Sequence, residues 1–218
     1  MEIENNITKE KIFELYGDYI LNHGKKPINI YRFAKDNNFE EKDFYDYFAS
    51  FDQIEKEMLD HLFIKSIELA SGITETVSTA KEQLLNIYFI FFENLTINRS
   101  LVLMLLGKDK MQSMKVLQNL RKSHRQFVKT LDFNEWEMFE KASRNVKEFN
   151  EKSREEALWM HLISCIEFWK KDTSPSFEKT DFYIEKTIDT GFELIDNEPL
   201  KKVIDLGKFL WKEKFNIN

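Results

Sequence analysis

A single cysteine, three prolines and six glycines in 218 residues set the first limits on this chain. One thiol, Cys165, makes no internal disulfide, so the chain must fold on its core alone and suits a reducing, cytoplasmic compartment. The glycines are too scattered to cradle a phosphate, and the chain has no cysteine cluster, no nucleophile elbow and no His-Glu-x-x-His run. No catalytic residue, metal site or cofactor is therefore expected. The apolar run at 101–106 spans six residues, where a membrane-crossing helix needs about twenty. No basic-then-apolar leader opens the sequence, and a soluble protein without a membrane span is the expectation.

What is present points to helices. Hydrophobic residues make up 42% of the chain and aromatic residues 14%, with 20 phenylalanines, enough for a sizeable core. Breakers are few and no alternating Val/Thr run of strand length occurs, so the pattern predicts an all-α fold. Between residues 12 and 54 the pattern is most specific. Ile12, Leu15, Tyr16, Tyr19 and Ile20 share one helical face, and His23-Gly24 supplies a left-handed stop. Pro27 bars helix for the residue before it, and Asn29 can cap a short second helix with Ile30, Phe33 and Ala34 inside. Asn37-Asn38 suits a tight corner, Glu40 stands at the next cap, and Phe44, Tyr45, Tyr47 and Phe48 form an aromatic wedge before Ile54 anchors a fourth helix.

This arrangement, gap-free from Ile12 to Ile54, resembles the helix-turn-helix of the TetR family of transcriptional regulators. The resemblance implies an N-terminal three-helix module over residues 1–62, including the start of a connector helix. It also implies a larger helical domain over 63–218 for ligand binding and dimerisation. It makes the chain a one-component regulator whose grip on double-stranded DNA is set by an apolar small molecule.

Charge works against that role. Residues 1–62 hold eight basic against fourteen acidic side chains, which is the whole formal charge of −6. DNA affinity depends on lysine and arginine displacing condensed counterions, and each neutralised phosphate adds roughly 0.9 to the salt slope. Over 36–46, Asp36, Glu40, Glu41, Asp43 and Asp46 face one Lys42. Where the resembled family tends to place a phosphate-binding lysine at the start of helix four, this chain has Phe51. The candidates left for DNA contact are Lys25, Lys26, Arg32, Lys35, Lys42 and Tyr47.

Further helices are expected at 52–71, 80–94, 98–106, 110–130, 134–149, 153–171, 177–195 and 200–215, with a break at Ser174-Pro175. Second domains of the resembled family enclose an apolar molecule, and the aromatic and methionine residues Phe89, Phe92, Met104, Met111, Met114, Trp136, Trp159, His161 and Trp169 are the candidate lining. The same residues suit an ordinary packed core. Glu57 and His61 share a helix face at metal-ligand spacing, which reads as a solvated pair. Ile184, Ile188 and Gly191 on one terminal helix, with Val203, Gly207 and Leu210 on the next, form stripes that each carry a glycine. A mid-helix glycine costs about 1 kcal/mol against alanine, so close packing there is expected. The resemblance assigns these helices to a homodimer interface; burial within the same domain is the alternative.

Two functions follow. The first is the ligand-controlled regulator. The second is a protein that keeps the fold but has lost DNA, resembling the lipid-binding members found in ubiquinone biosynthesis, and acts as a lipid-binding or accessory protein. The resemblance favours the first and the acidic recognition helix favours the second.

Overall fold

The computed structural model describes residues 7–72, 79–133 and 144–196. Among them every regular element is helical, and no single helix is long and apolar enough to cross a membrane. The chain divides into two compact units, Met1–Ile73 with Ile90–Gln126, and Thr74–Phe89 with Phe127–Asn218.

In the first unit, α1 (Lys9–His23), α2 (Ile30–Asp36), α3 (Glu41–Tyr45) and α4 (Phe51–Ser71) follow the sequence signals closely. Thr8 Oγ1 accepts from Lys11 N–H at 3.2 Å, and Gly24 closes α1 at φ +67°, its N–H bound to Ile20 O. Asn29 Oδ1 accepts from Arg32 N–H at 2.8 Å, the N-cap expected of it. Asn38 takes the corner at φ +59°. The fourth helix starts one residue before Asp52, because the Ser50 hydroxyl accepts from Gln53 N–H at 3.3 Å and sets the cap there.

Farther on, α5 (Ala80–Ile97) runs past its expected end at Asn94, and α6 (Arg99–Leu106) stops at Gly107 with φ +64°. The single helix expected over 110–130 is two, α7 (Lys110–Val116) and α8 (Gln118–Thr130). The break falls at Leu117, whose N–H reaches Ser113 O and Lys115 O, and Val116 and Leu117 on either side of it are both buried.

In the second unit, α9 (Arg144–Lys171) is continuous where a break was expected between 149 and 153. Glu151-Lys152-Ser153 contains no glycine or proline, and Ser153 alone does not interrupt a helix. The break at Ser174-Pro175 is present as a short 3-10 turn before α10 (Glu178–Asp196). Buried Asp172 organises it, accepting from the N–H and hydroxyl of both Ser174 and Thr180 at 2.7–2.9 Å. Burial alone would raise its pKa, but these four bonds hold it down at about 2. The helix expected at 200–215 lies outside the described residues.

Candidate functional site

Phe33 organises the N-terminal helices. It is 1% exposed, and the rings of Tyr16, Tyr19, Phe39, Phe44 and Phe51 meet it edge-on at 5.6–6.4 Å. Phe51, which replaces the expected lysine, also stacks on Tyr16 at 5.3 Å and so belongs to this core. Of the aromatic wedge, only Phe44 and Phe48 point inward. Tyr45 and Tyr47 are 53% and 39% exposed, because α3 ends at Tyr45 after five residues and its inner face holds one ring. Ile28 is 83% exposed and packs into no helical face.

The candidate DNA contacts are not equivalent. Lys26 is bound to Asp52 and to Glu55 of α4. Glu55 is buried and also accepts the Tyr16 hydroxyl at 2.8 Å. Burial, then the neighbouring Glu55 carboxylate, raises the Tyr16 pKa. Burial would lower the Lys26 pKa, but the two carboxylates outweigh it and hold the ammonium charged. Lys26 is thus the cation that makes a buried glutamate tolerable. Arg32 is paired to Asp36 on its own helix, Nε to both carboxylate oxygens at 3.0 and 3.1 Å. Lys35 lies over the Tyr31 ring at 5.8 Å, and Lys25 and Lys42 are exposed. Sequence reasoning missed Glu55, although its spacing to Leu59, Phe63, Ser66 and Ala70 places it on the buried face of α4.

The acids of α3 have local work. Asp43 accepts from Glu40 N–H at 3.3 Å, and Glu41 and Asp43 both sit in the first turn, where the helix dipole favours negative charge. On α4, Glu57 accepts from Gln53 and pairs with Lys9 at 2.6 Å, while His61 packs against the Phe13 ring at 5.4 Å. Those two residues do not converge as ligands, and no metal-ligating cluster occurs among the described residues.

The candidate ligand-lining residues fall on both units. In the first, Phe92 is buried and Met114 half-buried, but Met104 and Met111 are 37% and 68% exposed, on the outer faces of α6 and α7. In the second, Trp159 and Trp169 are buried and Phe89 and His161 half-buried. Trp136 lies outside the described residues. A cavity of about 610 Å³ does occur in the first unit, among α1, α4 and the α5–α6 corner, and none of these nine residues lines it.

His161 has the most constrained environment of the nine. Its Nε2 lies 2.7 Å from Thr187 Oγ1, whose hydroxyl donates to Tyr183 O at 2.7 Å, so Nε2 carries the proton and Thr187 accepts it. Nδ1 is then buried with no hydrogen-bond partner. Burial pushes the imidazole down to about 4 and the neighbouring Cys165 thiol, 3.6 Å from Nε2, up to about 12. Both groups are neutral near pH 7, the opposite of a thiolate–imidazolium pair. In the unfolded chain His161 takes its proton below about 6.5, in the folded chain only near 4, so stability should fall as pH drops through that window, by up to ~3 kcal/mol. Urea midpoints measured from pH 7 to 4 should decline more steeply for the wild type than for His161→Phe. Parallel curves would refute the assignment.

On α10, Ile184 and Ile188, two of the candidate dimer contacts, are buried within the chain, where α10 packs on α9. Among the described residues a Cβ placed on Gly191 would meet nothing within 4 Å, so no close packing among them explains that glycine. Val203, Gly207 and Leu210 lie outside the described residues. Phe182, which lies off the Ile184–Ile188 stripe, is 60% exposed on the same helix.

Residues 83–210 match the family described as Tetracyclin repressor-like, C-terminal domain. The chain belongs to this TetR-like family. The match starts within α5, so the all-α, TetR-like fold rests on it together with the helices described above. It places the chain among TetR-family regulators in general. Helices α1–α4 precede the matched segment. No curated protein matches the chain.

Proposed function

We propose that this TetR-like protein is a one-component transcriptional regulator. In this reading residues 1–62 contact double-stranded DNA, and residues 63–218 bind an apolar small molecule or lipid and form a homodimer. The observation that carries the DNA part is the pairing of α2 and α3 across the Asn37-Asn38 corner, held on α1 by Phe33. Exposed Lys25, Lys35, Lys42 and Tyr47 are its contact set. Lys26 and Arg32 leave that set because each is committed to carboxylates of its own chain. For the dimer, the C-terminal stripe Val203, Gly207 and Leu210, with Gly191 and Phe182, whose faces are left open among the described residues, are the contacts.

A second reading has support from one feature. The surface over 36–46 keeps five acids and one lysine, which favours a TetR-fold protein that has given up DNA and binds a lipid or an accessory partner. Fluorescence anisotropy on DNA from upstream of the protein's own coding sequence, over a salt series, separates the two. The regulator should bind weakly at low salt and lose affinity steeply as salt rises. Lys42→Ala should lower the slope of log K against log salt by about 0.9, and Lys26→Ala should leave it unchanged while reducing stability. Absence of specific binding at low salt would reject the regulator in favour of the second reading.

A further inference from the structure

The cavity among α1, α4 and the α5–α6 corner has the size and lining of a small-molecule pocket. Its volume, about 610 Å³, lies within the range of small-molecule pockets, ~300–1,000 Å³. Apolar walls come from Phe13 and Leu21 of α1, Met58 and Leu62 of α4, and Leu101 and Leu105 of α6. Gly17, also on the wall, is where α1 and α6 approach: a Cβ there would stand 2.9 Å from Leu101 Cδ2. The two helices thus meet closely at the edge of the cavity.

The charged groups at the cavity are not balanced. Glu14 and Asp18 line it from successive turns of α1. Glu14 is paired to Lys11 at 2.9 Å, whereas Asp18 has no ion pair among the described residues. Arg99 also lines the cavity, and it is already engaged by another group of the protein. His61, on the α4 wall, is half-buried, and burial lowers its pKa, so it is neutral near pH 7 and does not repel a cation. A mainly apolar cavity with, at its edge, an exposed carboxylate that has no ion pair among the described residues suits a molecule with an apolar body and a single positive charge.

We propose that this cavity binds a small amphipathic cation, its apolar body between Phe13, Met58, Leu62 and Leu101 and its positive head against Asp18. The occupant touches α1, α4 and α6 together, and α1 is also the helix whose Tyr16 and Tyr19 hold Phe33. Binding would thus stiffen the seat of α2 and α3. The inference stands on the cavity and does not depend on whether the protein binds DNA.

Calorimetric titration of the full chain with decyltrimethylammonium and decanoate, each below its micelle concentration, and with 1-decanol below its solubility limit, tests it. The cation should bind roughly tenfold more tightly than the alcohol, and decanoate most weakly. Asp18→Asn should remove the tenfold advantage without changing the affinity for decanol. Leu21→Trp, a change at a 45% exposed edge position, should weaken both cation and alcohol by narrowing the cavity. Equal binding of the three probes would overturn the charge assignment. Unchanged cation affinity in both variants, with wild-type circular dichroism and thermal midpoint, would overturn the site.

Discussion

Phe33→Ala should destabilise the N-terminal helices by about 3–5 kcal/mol, the range for removing a buried aromatic ring. Phe33 is 1% exposed and five other rings meet it, so the change leaves a cavity at the point where α1, α2, α3 and the start of α4 converge. Helix α3 has only five residues and one buried side chain, Phe44, and cannot hold its place without that ring. Urea unfolding followed by far-UV and near-UV circular dichroism checks this. A midpoint loss worth less than ~1 kcal/mol would mean that the aromatic cluster does not organise the module.

Glu41→Lys combined with Asp43→Lys should give the largest change in DNA binding. The pair of substitutions adds four units of charge to α3, removes two repulsions and supplies two potential phosphate contacts. Non-specific affinity should rise, and the salt slope should steepen by up to about 1.8, at roughly 0.9 per contact. The gain has a structural cost. Both acids lie in the first turn of α3, and Asp43 accepts from Glu40 N–H, so each replacement should cost roughly 0.3–1 kcal/mol of helix-dipole and capping stabilisation. The variant should therefore bind DNA better and melt earlier. A variant with an unchanged salt slope would show that α3 does not face the duplex. Wild-type protein should bind bulk DNA poorly at physiological salt, and nanomolar binding there would contradict the charge argument.

The dipole effect also explains how an acidic α3 is compatible with its fold. Net charge over 36–46 speaks of DNA, but a five-residue helix whose cap is Glu40 benefits from negative charge at its first turn. The same residues thus weigh on function in one direction and on local stability in the other.

Much of the N-terminal architecture was legible because its signals are local. A glycine after His23, an asparagine before Ile30 and an asparagine pair at 37–38 act on their own backbone within one turn, so the α1 stop, the α2 cap and the corner appear where expected. The periodic burial of Ile12, Tyr16, Ile20 and Phe33 was likewise available from spacing alone. Three things required the tertiary structure. The pairing of Lys26 with Glu55 joins residues 29 positions apart and makes this exposed lysine the counter-ion of a buried glutamate. The break at Leu117 is marked by no glycine or proline, and helical periodicity leaves it open. The cavity beside Gly17 exists because α6 meets α1 across more than eighty residues of chain, and no local pattern marks a space left between helices. Sequence determined where helices start and stop, since caps and breakers act over three or four residues; only packing decided which charges are free and where the cavity lies.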